Sequence, residues 1–161
     1  MGAEFSLYLR KKANKEEKVD NSNNILLFYF GSENAYYLYN HDTGIEDTCN
    51  GIRNDESPYK VFTRTHYDKI MISLDYSTKL KEDMVKNLEK ELEAMTQLLS
   101  KAANECVYDK IKDDIFDIKQ ELNYNKECID YFSYMLQHFE FAREVLDNNE
   151  EDYELVYMWG N

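Results

Sequence analysis

From Tyr67 to Leu146 apolar residues recur at alternating steps of three and four, and neither glycine nor proline occurs between residues 60 and 159. A 3–4 repeat paints one stripe along an α-helix, and two such stripes joined by a short turn specify two helices folded back on each other. The first stripe is Tyr67, Met71 and Leu74, then Val85, Leu88, Leu92, Met95, Leu99 and Ala102, with Thr78 and Lys81 keeping the register. From Tyr108 the second runs through Ile111, Ile115, Ile118, Leu122, Asn125, Ile129, Phe132, Leu136, Phe139, Arg143 and Leu146. The spacing predicts helices over 66–103 and 107–147, each roughly 57–62 Å long at 1.5 Å per residue. Asn104, Glu105 and Cys106 form the expected joint, and Thr65 with Asp68 reads as a capping box. Alternation of Ile70, Ile72 and Leu74 would also suit a strand, but the heptad register runs straight through it.

Matched helices with a short joint make an antiparallel coiled-coil hairpin. Counting outward from the joint pairs Leu99 with Ile111, Met95 with Ile115, Leu92 with Ile118, Leu88 with Leu122 and Leu74 with Leu136. The same register brings Glu89 to Lys119 and Glu82 to Lys126, opposite charges that the core pattern did not require. Asn125 then faces Val85, a polar core position of the kind that fixes register at some cost in stability.

The chain ends read differently. Residues 4–10 alternate as a half-buried strand, 25–30 (ILLFYF) form a continuous apolar run expected to be a well-buried strand, and Tyr59 to Phe62 suit a short one. Residues 11–24 and 40–58 are polar and turn-rich, Ser32 to Tyr39 suggest a short helix, and Tyr153 to Trp159 (YELVYMW) is expected to rejoin the N-terminal strands. A second stripe on the later helix (Tyr124, Cys128, Tyr131, Tyr134, Met135, Phe141, Ala142), matched by Ile70, Leu80 and Met84 on the earlier one, needs cover that strands can supply. The expectation is an α+β fold. A small antiparallel sheet, built from the N-terminal strands and the C-terminal strand, packs on the base of a long antiparallel two-helix hairpin. One domain of 1–161 is expected: strands and loops over 1–64, the hairpin over 65–147, and an acidic linker with the last strand over 148–161.

Charge is unevenly placed. Nineteen Lys and Arg stand against 32 Asp and Glu, a net charge of −13. Residues 105–161 carry five bases and fifteen acids, and no base follows Arg143. Such a field repels nucleic acid and anionic membrane and attracts basic surfaces. Hydrophobic residues at 43% exclude intrinsic disorder, and no apolar run approaches the ~18 residues of a membrane span. No basic-then-apolar leader opens the sequence, and three cysteines without paired spacing read as reduced thiols, so a cytoplasmic protein is expected. Fifteen Lys to four Arg, fifteen Asn and fourteen Tyr point to A/T-rich codons, hence to a low-GC bacterium or one of its phages.

Motifs for chemistry are missing from the sequence. His41, His66 and His138 stand at no metal-ligand spacing from one another or from Cys49, Cys106 and Cys128, His41 with Cys49 being the nearest approach to a pair. Five glycines assemble no phosphate loop and no nucleophile elbow. The expectation is therefore no enzyme, no metal and no cofactor; a pocket holding a carboxylate beside His41 or His66 would revive an enzyme. What remains is acid interleaved with aromatic side chains. The candidate partner-binding residues are Asp109, Asp113, Phe116 and Asp117 toward the hairpin tip, with Glu144, Asp147, Glu150, Glu151 and Asp152 near the end. They suit a non-enzymatic, acidic protein–protein interaction module that mimics nucleic acid, expected to be a phage or mobile-element inhibitor occupying the basic nucleic-acid-binding surface of a host defence protein. Direct nucleic-acid or membrane binding is not expected. The alternative is a coiled-coil scaffold or adaptor that forms a homodimer through the seam or the tyrosine stripe.

Overall fold

A computed structural model describes residues 2–39, 43–45, 58–148 and 152–160. The elements are β1 (Glu4–Lys11), β2 (Ile25–Gly31), α1 (Glu33–Tyr39), β3 (Lys60–Val61), α2 (Arg64–Leu99), α3 (Glu105–Asn148) and β4 (Tyr153–Gly160). They form an α+β fold of one four-stranded antiparallel sheet, in the order β2-β1-β4-β3, and two long packed helices. Among the described residues no helix is long and apolar enough to cross a membrane. The chain divides into two compact units, Met1–Leu74 with Met135–Asn161 and, separately, Asp75–Tyr134.

In the first unit β1 is the hub. It pairs with β4 along its whole length, from Glu4↔Gly160 to Lys11↔Tyr153, and with β2 on its other side. Phe5 and Leu7 point to one face and are fully buried. The Phe5 ring lies 6.0–6.5 Å from the rings of Phe28, Phe30, Phe62, Phe139 and Tyr157, so one aromatic cluster joins β1, β2 and β4 to α3 and to the residue after β3. Offset and edge-on ring pairs of this sort contribute about 0.5–1.5 kcal/mol beyond the area they bury.

The opposite face of β1 departs from the half-buried strand read from its alternation. Ser6 and Arg10 are both buried. Arg10 Nε and Nη2 donate to Glu154 Oε1 at 3.0 and 2.7 Å, and Nη1 donates to Asn21 Oδ1 at 3.2 Å. Asn24 Nδ2 donates to the same Asn21 oxygen, so the guanidinium ties the 12–24 loop to β4. The run at 25–30 is also less covered than its apolar content suggests. As an edge strand with a register irregularity opposite Leu7 and Tyr8, β2 buries Phe28 and Phe30 but exposes Ile25, Leu26 and Tyr29.

Both helices start and stop for local reasons. At α2 the Thr63 carbonyl accepts from Tyr67 N–H, while His66 Nδ1 accepts from Thr63 N–H at 3.1 Å. The Thr63 hydroxyl lies 2.8 Å from the same nitrogen, so His66 supplies the back-bonding half of a capping box two residues before the expected Thr65–Asp68 box, with an imidazole in place of a carboxylate. Asp68 instead pairs with Arg64 one turn back. At Leu99 the helix tightens into i→i+3 bonds, Lys101 N–H to Leu98 O and Ala102 N–H to Leu99 O. It therefore ends earlier than the heptad series, whose Ala102 lies in the turn. Asn104 Oδ1 accepts from Val107 N–H at 3.0 Å and starts α3.

In the second unit the seam uses the predicted apolar residues, but neither expected ion pair, Glu89–Lys119 or Glu82–Lys126, is among those of the described residues. Leu88, Ile118 and Leu122 form its buried core, and Val85, Leu92 and Met95 pack against them. The ion pair across the seam joins Lys126 to Glu89 at 3.5 Å, one member from each of the two expected pairs. Asn125 is 1% exposed; its Nδ2 donates to Glu121 O at 2.8 Å, and its Oδ1 meets no donor among the described residues.

The second stripe is only partly covered. Ile70, Met135 and Ala142 are fully buried within the first unit, whereas Tyr134 and Phe141 are about half exposed. Each of those two aromatics is one residue, about 100°, away from its buried neighbour and so faces another direction. In the second unit Leu80 and Tyr124 are likewise half exposed.

Two stability predictions follow from the caps and the seam. Asn125→Leu removes an unsatisfied buried oxygen and should raise stability by about 1–2 kcal/mol in chemical denaturation. Thr63→Ala should lower it by about 1 kcal/mol in the same measurement, because the hydroxyl bonded to His66 Nδ1 is lost.

Candidate functional site

The acidic candidates fall in two units, and the structure treats them differently. In the second unit Asp109, Asp113, Phe116 and Asp117 lie on the outer side of α3, all exposed, with the Phe116 side chain 61% open. At 100° per residue Asp109, Asp113 and Phe116 cluster within about 60° of one another opposite the seam, and Asp117 stands about 40° beyond Asp113. None of the three carboxylates enters an ion pair or side-chain hydrogen bond among the described residues. Lysines of the same stretch flank them within a turn, yet none pairs with them among the described residues. Lys112, Lys119 and Lys126 repeat every seven residues along the flank that reaches α2, where Lys126 meets Glu89. The Lys112 ammonium lies 5.6 Å from the centre of the Tyr108 ring. Lys110 stands on the other flank.

In the first unit Glu144 and Asp152 are exposed. The Asp152 backbone carbonyl accepts from Lys12 N–H at 2.7 Å, which leaves its carboxylate in water. Asp147 is not available in the same way, because Arg64 Nη1 donates to its Oδ1. Burial opposes protonation of the Arg64 guanidinium, but the carboxylates of Asp147 and Asp68 outweigh it and hold its pKa above the usual value. Both partners of that pair are about half exposed, so it contributes little to stability. Glu150 and Glu151 lie outside the described residues, as do His41 and Cys49.

Compared with models of known families, with curated proteins and with solved structures, the chain matches none. Its own residues must carry the functional argument.

Among the described residues no three His, Cys, Asp or Glu side chains converge as a metal site. His66 is engaged in the α2 cap and stacks on Phe62, with Tyr157 edge-on at 5.3 Å. His138 packs edge-on against Phe28 and Phe30. Cys106 is exposed in the first turn of α3, and Cys128 is half-buried. Two further features are set by the fold. Tyr131, beside Tyr134 at a ring distance of 5.8 Å, has its phenol pKa raised by burial and then by that neighbour. A cleft of about 250 Å³ opens at the β3 side of β4, walled by Val61, Phe62, Val145, Leu146 and Tyr153 together with the polar Lys12, Thr63 and Glu154. No motif announces it, since it arises where a two-residue strand meets an eight-residue one.

If the Asp109–Asp117 face serves only as surface, its side chains support nothing beneath them. Phe116→Ser and Asp113→Asn should each change unfolding free energy by no more than about 0.5 kcal/mol. A larger loss in chemical denaturation would show that the face is packed and not presented.

Proposed function

We propose that this chain is a non-enzymatic protein–protein interaction module whose acidic face docks on the basic, nucleic-acid-binding surface of another protein. The observation that carries the reading is the set Asp109, Asp113 and Asp117, three exposed carboxylates that enter no ion pair among the described residues, grouped around an exposed phenylalanine. Carboxylates spaced along one helix offer a row of negative charge to lysines and arginines that otherwise hold phosphates. Phe116 supplies the apolar anchor that such rim charges lack, and aromatic anchors dominate many interfaces. Glu144 and Asp152 add negative charge in the other unit. In a phage or mobile element this module acts as an inhibitor of a host defence protein, working in the cytoplasm where that protein meets nucleic acid.

A second reading is favoured by another surface of the second unit. Leu80 and Tyr124 are half exposed, Met84, Cys128 and Tyr131 are half-buried, and Lys81 Nζ lies 5.2 Å from the centre of the Tyr124 ring. Apolar side chains left open along a helix pair suit a homodimeric scaffold. Sedimentation separates the two, since a tight dimer that hides Tyr124 favours the scaffold.

The test of the leading reading is competition. A purified basic DNA-binding protein is loaded with labelled duplex, and the chain is titrated in at two salt concentrations. Release of duplex should weaken steeply as salt rises, and D109N/D113N/D117N should need about tenfold more protein. Phe116→Ser should weaken release with the salt slope unchanged. Failure to displace duplex from any basic protein of a bacterial panel, or release indifferent to salt, overturns the reading.

A further inference from the structure

We infer that β2 is a self-association edge, and that two copies of this chain dimerise by pairing their β2 strands antiparallel about a two-fold axis at Tyr29. Among the described residues the strand ends the sheet order β2-β1-β4-β3. Leu155 O accepts from Phe62 N–H, so residue 155 faces away from β1 and its partner Leu9 faces β2. Alternation then turns Phe5 and Leu7 toward β2, and turns Phe30 and Phe28, which pair with them, back toward β1. Tyr29 and Gly31 consequently direct their N–H and C=O groups outward, where no hydrogen bond meets them among the described residues. The flank beside them is open. Ile25, Leu26 and Tyr29 are 56%, 53% and 51% exposed. Helix α1 touches both β1 and β2, so it packs on the sheet and not beyond its free edge.

Charge identifies the occupant as a second copy. Residues 21–32 are the longest stretch of the chain without a charged side chain, in a protein of net charge −13. Copies so acidic repel one another over most of their surface and meet closely only where charge is missing. A basic partner, by contrast, gains nothing from this strand. Edge strands that must stay single carry lysine, proline or inward-pointing charges, and Ile25–Gly31 carries none of these. Its irregularity is confined to Leu27, and residues 28–31 pair regularly with β1. Pairing through the outward groups sets Tyr29 opposite its own copy and brings Gly31 toward Leu27, so no like charges face each other. The arrangement is isologous and closed. It uses up both β2 edges, and the sheet's other edge strand, β3, is only two residues long. One short strand makes less than a standard interface, so a reversible, concentration-dependent dimer is expected. This contact is independent of the acidic α3 face and lies in a different unit from Tyr124.

The test is sedimentation of the full chain from micromolar to near-millimolar concentration, in low and in high salt. A monomer–dimer equilibrium should appear and should tighten about threefold as salt rises, because salt screens the mutual repulsion of two acidic chains. Docking of the acidic face on a basic protein responds to salt in the opposite direction, so the two ideas fail separately. Hydrogen exchange supplies the position. The Tyr29 and Gly31 amides should exchange at least fivefold more slowly in the dimer, while those of Phe28 and Phe30, already turned toward β1, should not change. Tyr29→Lys and Tyr29→Glu should each weaken dimerisation at least tenfold. An equimolar mixture of the two should recover at least fivefold, since each lysine then faces a glutamate. Tyr124→Ser should dimerise as the parent does. A chain that stays monomeric throughout, a dimer that loosens with salt, or protection at residues 120–128 and not at Tyr29 overturns the inference. So does dimerisation indifferent to both Tyr29 variants, or a mixture no tighter than either alone although both keep the parent's circular dichroism.

Discussion

The first unit depends on the burial of Phe5. Its ring meets five others, and these come from β2, β4, α3 and the segment between β3 and α2. No local stretch of sequence could assemble such a group, so strand pairing and helix docking must occur together. Phe62 is the telling member. It hydrogen-bonds to β4 through its backbone, stacks on Phe139 through its ring, and stands one residue before the Thr63 cap. The end of the sheet and the beginning of α2 are consequently a single local structure. Truncating Phe5 would remove contacts from every layer at once, a loss of the order of 3–5 kcal/mol for a buried phenylalanine.

The second unit has a simpler logic. Its buried core is aliphatic, and the buried polar Asn125 keeps its amide on its own helix. An isolated helix pair of this kind gains specificity from that residue more than stability, because any other register would bury the same amide against a different layer. Lys126 and Glu89 add a weak cross-seam restraint at the surface.

The legible parts of the sequence were those governed by near neighbours. Period 3.6 gave both helices, period 2 gave β1, and turn-rich polar stretches separated them. The illegible parts depended on residues far away in the chain. Arg10 reads as a polar residue at the end of the alternating strand 4–10, and only the arrival of Glu154, 144 residues later, turns it into a buried ion pair. The sidedness of β2 could not be read either, since an all-apolar run does not say that one flank has no strand beside it among the described residues. His66 gives no capping signal in the sequence, because a carboxylate or amide is the usual residue at that position. On the acidic surface, exposure of Asp109, Asp113, Phe116 and Asp117 followed from helix geometry alone. The occupation of Asp147 by Arg64 did not, because it joins the beginning of one helix to the end of another.

The pairing of β1 with β4 also sets the order of events during synthesis. Leu7 and its partner Tyr157 are separated by 150 positions, and β4 is an interior strand of the sheet. A ribosome must deliver residue 160 before that central ladder can close, whereas the Leu88–Leu122 seam can zip as soon as α3 emerges. Until then β1 and β2 wait with an apolar flank unsealed, a period in which chaperones would have the most to bind.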